Sequence, residues 1–480
     1  MKGVGDRYRW AWKGSDFTNG TFQGAAHGLA SLVANNLLPE NIPHAVIVKR
    51  IEDMISGVGN ITRSNGSLDE IMPFESSYCV TALVAFDILS ALRLLKRHMT
   101  TSRWVEHHAT VRPLINFILH SRESHGIISN HLAAGAAALA LWKTATGDDV
   151  NSALVSTISL IEEHYSPEGW FLEYEGPDPG YQSLALDYLT VLNELAPEHH
   201  LSPLLSQAAN FLTYMAHPDG SFGGLYGSRN TRFLYPAGIE TLASSSEAAT
   251  SLAAFSRKAH LKNSVVGLLA MDEANLIPMF NSFCRASALE KPILGAPLLP
   301  CHSRPFTKTF PDAGLIVHRT QTNYSIVNWR KGGAFYSTSA GSDGGSLAID
   351  SRGKYYTTQI SRKNSQIISQ DTNSVLIEAP LLRYKMLYPS PISMILLRGL
   401  CLTAMRIKFL NGLIKKLLVL LLIKRTTREA GRCRRHIQFE PFTVKDSLVE
   451  NDIGLELLPL QSFYAVHMAS QGYWQSGDKS

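Results

Sequence analysis

Asn130 and His131 stand side by side where a run of small residues begins, Ser129-Asn130-His131-Leu132-Ala133-Ala134-Gly135-Ala136-Ala137-Ala138. Ser and Asn start helices well, because their side-chain oxygens accept from the free N–H groups of the first turn. That N-terminus also carries the positive end of the helix dipole, so an amide and an imidazole placed there can hold an anion. The pair is either an ordinary cap or a site for an acidic ligand, and the local sequence leaves both open. Further polar residues gather near other helix starts: Glu75, Glu173, Glu175, Asp178, Tyr181, Arg229 and Asn230. Two carboxyl groups facing each other across a sugar bond would hydrolyse it. Each acid equally suits a helix start, where it complements the dipole.

The elements that must position these groups are helical hairpins. Asn19-Gly20-Thr21-Phe22, Asn65-Gly66-Ser67-Leu68, His125-Gly126-Ile127-Ile128, Glu168-Gly169-Trp170-Phe171 and Asp219-Gly220-Ser221-Phe222 repeat one kind of turn. Helical runs lie between them, for example Ser76 to Leu95, Ser102 to His120, Leu132 to Thr146 and Asn151 to His164. Two helices per unit, with a period of roughly 50 residues, describe stacked helical hairpins. The recurring turns would then share one rim. The small residues from Ala133 to Ala138 let neighbouring helices approach closely, which places that helix deep inside the helical domain.

Near residue 285 the texture changes. Pro292, Pro297, Pro300 and Pro305 mark a linker over 286–305. Short strand-like runs follow, such as Leu315-Ile316-Val317-His318 and Tyr324-Ser325-Ile326-Val327, separated by turn residues. The expected domains are therefore a helical one over 1–285 and an antiparallel β-domain over 306–480. A basic, leucine-rich insertion interrupts the latter at 391–436. It holds eleven Lys and Arg with Glu429 as its single acid, which leaves the rest of the chain at −5 of the overall +5. Such a segment suits a peripheral membrane contact, or an insertion whose apolar side packs on the sheet while its lysines face water. It lacks the interleaved aromatics of a nucleic-acid surface. The five cysteines show neither metal-ligand spacing nor a disulfide framework. The charged N-terminal residues do not read as a secretory signal, so the expected location is cytoplasmic, peripheral at a membrane if the insertion binds one.

The order of parts resembles the heparinase II/III-like and alginate-lyase group of polysaccharide lyases. The resemblance covers most of 15–380. It is carried by Ser129-Asn130-His131, by Asp178-Pro179-Gly180-Tyr181-Gln182 and by Phe310-Pro311-Asp312-Ala313-Gly314-Leu315. It implies an incomplete (α/α) toroid joined to an antiparallel β-sandwich, with an acidic polysaccharide in the cleft between them. It also implies cleavage by β-elimination, with Asn130, His131 and Tyr181 as the catalytic set; no cofactor is expected, and the histidine-free β-domain run from Ala340 to Asp350 argues against a metal. Elimination removes the proton α to a uronate carboxyl. The resulting carbanion forms only if the carboxylate charge is neutralised, here by Asn130 with help from Arg229 or Arg232. A tyrosine or histidine then serves as base and as acid. Glu75, Asp178, Gln182, Arg229, Asn230, Arg232 and Tyr235 are the expected substrate contacts.

The chain departs from that group in the β-domain. The run Ala340-Gly341-Ser342-Asp343-Gly344-Gly345-Ser346-Leu347-Ala348-Ile349-Asp350 holds no histidine, where the group often carries one with zinc ligands. Two other readings stay open beside the lyase. One is a glycan-binding protein that has lost its chemistry, and the other is an α/α-barrel glycoside hydrolase using the rim carboxylates.

Overall fold

The structure, a computed structural model, describes residues 2–123, 128–271, 273–293, 295–340, 342–360, 364–384, 390–407, 409–414, 417, 429–451 and 453–460. After a short N-terminal turn of helix, α1 (Arg7–Trp10), the first domain is built from α2 (Ala25–Ala34), α3 (His44–Ile61), α4 (Tyr78–Leu95), α5 (Thr101–His120), α6 (Ser129–Thr146) and α7 (Asn151–Glu163). It continues with α8 (Pro179–Leu195), α9 (Ser202–Thr213), α10 (Ala237–Leu242), α11 (Glu247–Leu261) and α12 (Glu273–Leu289). The even-numbered helices pack on one another in sequence, and α12 returns to pack on α2. This is a closed inner ring. Helices α3, α5, α7, α9 and α11 each lie outside the inner helix that precedes them. Among the described residues α12 has no such outer partner, so the (α/α) toroid is incomplete by one helix.

Composition decides which helix goes where. In α7 the buried residues are Leu154, Ile158 and Ile161, one stripe at helical spacing, as suits a helix with water on its other side. In α6 nearly every residue from Ser129 to Trp142 is buried, and the alanines let α4 and α8 close in from both sides. Helix α4 is buried almost all round in the same way. The segment Tyr78–His98 has the length and hydropathy of a membrane span, yet 83% of its most apolar 18 residues are buried inside the protein. Gly66 shows why the hairpin turns use glycine. Its φ is +87°, and a Cβ there would run into the Pro113 carbonyl of α5.

The second domain is an antiparallel β-sandwich. One sheet is the meander β3 (Phe306–Phe310), β4 (Leu315–Arg319), β5 (Tyr324–Asn328), β6 (Ala334–Ser337) and β7 (Ser342–Gly344), numbered after the small hairpin β1 (Tyr165–Ser166) and β2 (Trp170–Phe171) of the toroid. The other contains β8 (Leu347–Ile349), β9 (Tyr355–Thr357), β10 (Gln366–Gln370), β11 (Ser374–Tyr384), β12 (Glu429–Phe439), β13 (Phe442–Asn451) and β14 (Glu456–Leu457), in the order β13-β12-β11-β9-β8-β14, with β10 also on β11. Side chains alternate across a strand, so each face of the first sheet has its own role. Ile316, Val327 and Phe335 pack against Val375, Ile377, Ile437 and Phe439 of the second sheet. Leu315, Val317, Tyr324, Ile326 and Tyr336 join the core of the toroid instead. A sheet buried on both faces explains the unbroken apolar runs in β4 and β5. The Glu168 carboxylate of one glycine turn secures the joint, accepting from the amides of Asp312 (2.8 Å) and Ala313 (2.9 Å).

Strands β11 and β12 are neighbours, with Ser374 opposite Gln438 and Leu382 opposite Glu429. The leucine-rich segment is therefore the connection of a hairpin, and it ends before Glu429 rather than at residue 436. Arg432 and Arg434 belong to the sheet, where both bind Glu378, at 2.9 and 2.8 Å. Arg435 is buried and paired with Asp446 at 2.7 Å. What is described of the connection is α13 (Pro391–Leu402), a short helical turn at Ala404–Arg406, a helical stretch at 409–414 and Leu417. Lys415, Lys416, Lys424, Arg425 and Leu418 to Leu422 lie outside the described residues.

Candidate active site

The inner helices α4, α6 and α8 all start on one rim, and the chain between them builds the candidate site. Residues 172–176 run beside the start of α6: Glu173 bridges Ile128, and the Ser129 hydroxyl donates to the Leu172 carbonyl at 2.6 Å. This holds the Glu173 side chain against Asn130, whose Nδ2 donates to Glu173 Oε2 at 3.2 Å. Both residues are buried. Burial, reinforced by the nearby Asp178, pushes the Glu173 carboxyl well above the usual carboxylate range. Its other oxygen, Oε1, is buried with no hydrogen-bond partner.

Arg229 sits over the ring of Tyr174, 4.4 Å from its centroid, and acts electrostatically on Glu173 without bonding to it. Its buried Nε is also without a partner. Two orphaned polar atoms in one cluster are unusual, since buried polar groups in native proteins are nearly all paired. Tyr181 completes the cluster on the α8 side, edge-on to Phe233 at 5.3 Å. Burial, with Glu173 second, raises its hydroxyl well above the ordinary phenol range.

His131 lies one residue further along α6. Its Nδ1 is 2.7 Å from Glu123 Oε2, and the Glu123 side chain is only 3% exposed. A carboxylate on Nδ1 fixes the ring and leaves Nε2 as a proton acceptor. Burial first, and after it charges that include those of Glu123 and Glu173, raise the pKa of the Tyr174 hydroxyl and of the Cys79 thiol. Asn130, His131 and Tyr181 are thus gathered on one rim.

Several expected substrate contacts are instead part of the frame. Asp178 caps α8 and accepts from the amides of Tyr181 (3.2 Å) and Arg229 (2.8 Å) and from the Thr231 hydroxyl. Glu75 accepts from the amides of Glu70 (3.2 Å), Ile71 (2.7 Å) and Met72 (3.4 Å), closing a loop before α4. Gln182 is buried and donates to the carbonyls of Gly169 (2.9 Å) and Ala208 (3.0 Å). Tyr235 is buried against Phe233. Arg232 lies in the same loop, where its carbonyl accepts from the Val266 amide at 3.0 Å. Of the four rim acids, Glu75 and Asp178 are therefore taken up by the frame.

Asn230 leads to the residue that sequence reasoning missed. Its Oδ1 accepts from Lys331 Nζ at 2.6 Å, and the same ammonium donates to the carbonyls of Leu225 (2.6 Å) and Gly227 (2.8 Å). Lys331 comes from the sandwich and is buried, so it pins the toroid loop to the β-domain. The sandwich gives the joint Tyr336 as well, stacked on His217 at 3.6 Å. His217 spends both ring nitrogens on Ser221 (2.8 Å) and Tyr226 (3.0 Å), and burial lowers its pKa to about 3. Beside these contacts a cleft of about 610 Å³ opens between the domains, lined by Glu175, Pro177 and Ser228 on one side and Trp329, Arg330 and Gln366 on the other. Among the described residues no three His, Cys, Asp or Glu side chains converge as a metal site requires.

No protein-family model matches the chain, and no curated protein matches it. Among solved structures it is similar to heparinase III, with a TM-score of 0.49 and 13% identity over 93% of this chain and 66% of that one. A Paenibacillus xanthan lyase gives 0.42 and 10% over 76% of this chain and 41% of that one. A Streptomyces coelicolor A3 chondroitin AC lyase variant gives 0.40 and 11% over 76% and 62%. The chain spans just under two thirds of the heparinase III chain.

Proposed function

We propose that the protein is a polysaccharide lyase of the toroid-and-sandwich type, acting on a uronate-containing polymer by β-elimination at the Asn130–Glu173 rim. The observation that carries this reading is the pair of orphaned polar atoms, Glu173 Oε1 and Arg229 Nε. A carboxylate is the ligand that suits both. Burial raises the pKa of Glu173, which in its protonated form can donate a hydrogen bond from Oε1, and Arg229 donates from Nε. Asn130 adds the amide that steadies the charge as the α-proton leaves. His131, oriented by Glu123, is the base. Tyr181 remains protonated because its pKa is raised, so its role is to pass a proton to the departing glycosidic oxygen. The proton on His131 Nε2 returns to Tyr181 through solvent before the next turnover.

Binding without turnover is a second reading, favoured by the histidine-free run from Ala340 to Asp350. The Asp350 carboxylate is already occupied there, accepting from the amides of Arg352 and Lys354, both at 2.9 Å. Elimination leaves a conjugated, ultraviolet-absorbing uronate end, and binding does not. A screen of uronate polymers should therefore give rising ultraviolet absorbance with the wild type and none with Asn130→Ala. Calorimetric binding without any product from the wild type would establish the second reading instead.

A further inference from the structure

We propose that the N-terminal segment and helix α13 together form a docking patch for an anionic bilayer surface. The two are about 380 residues apart in sequence, and the fold puts them in contact. Arg398 of α13 donates through Nη1 to the Gly14 carbonyl at 2.5 Å and lies 3.4 Å from Asp16. On the other side of the contact the Tyr8 ring lies against Gly14. The joined surface is rich in exposed aromatic and aliphatic side chains. Trp12 is 71% exposed and Tyr8 61%, while on the helix Ile392 is 72% exposed, Ile395 71% and Leu396 63%.

Its charge is of one sign. Arg7, Lys13 and Arg406 are exposed. The nearby acids are spent internally: Asp6 is buried and accepts from the amides of Arg9 and Asn19, and Asp16 faces Arg398. Tryptophan and tyrosine rings settle at the level of lipid headgroups, and basic side chains beside them are drawn to anionic lipid. A bilayer also suits α13, which apart from Ser393 and Arg398 is apolar along its length and is exposed from Pro391 to Leu400. A second copy meeting the patch across a two-fold axis would bring like charges together. The helix is held ready by its own N-terminus, where Ser390 and Ser393 cap each other and Pro391 opens the first turn.

The test uses the full chain and vesicles of phosphatidylcholine, alone or with about 30 mol % phosphatidylserine. Co-sedimentation should be about tenfold stronger with the anionic vesicles and should weaken as salt rises. Trp12→Ser with Ile395→Ser and Leu396→Ser removes the apolar part, and Arg7→Glu with Lys13→Glu reverses the charge. These side chains are exposed, so circular dichroism and melting should be unchanged. Each set should lower binding by about tenfold, and the charge set should also lose the salt dependence. Equal binding to both kinds of vesicle, no binding to either, or variants that bind like the wild type would overturn the proposal. Light scattering that shows a dimer dispersed by the apolar set would give the patch to a second copy.

Discussion

Asp178 and Glu173 lie five residues apart on one rim, and both are buried, but their surroundings differ in kind. Asp178 receives three backbone amides and a hydroxyl, all at the start of α8 and the 229–231 loop. Glu173 receives one amide from Asn130 and leaves an oxygen unpaired. A carboxylate surrounded by donors has no capacity left for a ligand, and its energy goes into holding the chain. A carboxyl short of donors is costly to bury, and its incomplete pairing is what a substrate carboxylate can complete. The comparison separates the frame of the site from the groups free to do chemistry, although all of them are polar residues on the same turns.

The largest effect should come from removing the frame. In Asp178→Ala four donors lose their acceptor at the junction of α8 and the loop that carries Arg229. At about 1–3 kcal/mol per buried unsatisfied group, partly relieved by water, a loss of about 3–5 kcal/mol is expected in urea denaturation. A loss below about 1 kcal/mol would mean that Asp178 does not support this junction. Lys331→Met asks the same of the joint between domains. It strands the oxygens of Leu225, Gly227 and Asn230, and about 2–3 kcal/mol should be lost. An unchanged melting temperature would show that water replaces the ammonium at no cost.

Glu173 should respond to pH instead. Its pKa is raised in the folded chain, so above the unfolded carboxyl's pKa the native state holds a proton that the unfolded state has lost. Stability therefore falls as pH rises from the unfolded pKa toward the folded one, and levels off beyond it. Glu173→Gln removes this term. The variant should gain on the wild type with rising pH, by up to about 1.4 kcal/mol per unit. Asp87 and Asp187 are raised as well and are common to both proteins, so the difference isolates Glu173. Parallel stability curves for the two would show that Glu173 is ionised and paired in the fold.

The sequence shows the architecture better than the site because each rests on a different range of information. Recurring glycine turns, an alanine-rich helix and alternating strands are local patterns, and the ring and the sandwich follow from them. Whether a polar residue is frame or free depends on what lies opposite, and that is set by residues far away. Asp178 looks like a cap and is one, but nothing local indicates that Arg229 and Thr231 also bind it. Lys331 looks like a surface residue after a strand until the toroid loop closes around it. The arginines of β12 are the same case: beside the leucine-rich segment they look like part of one basic stretch, and only strand register sets them opposite Glu378 and Asp446. Counting charge along the chain merges residues that the sheet separates.

The smallest expected change in stability is the sharpest test of the comparison. The Tyr181 hydroxyl makes no hydrogen bond to any described residue, while its ring packs on Phe233. Tyr181→Phe keeps the ring, so stability should move by less than about 0.5 kcal/mol. If the hydroxyl protonates the departing oxygen, elimination should nevertheless slow by about 10²–10⁴-fold, the usual worth of a positioned acid. A frame residue cannot show this split, because its loss reaches activity only by way of the fold. A stability loss above about 1 kcal/mol would place Tyr181 beside Asp178 in the frame. An unchanged rate would reduce Tyr181 to a packing ring and leave His131, oriented by Glu123, to carry the proton both ways.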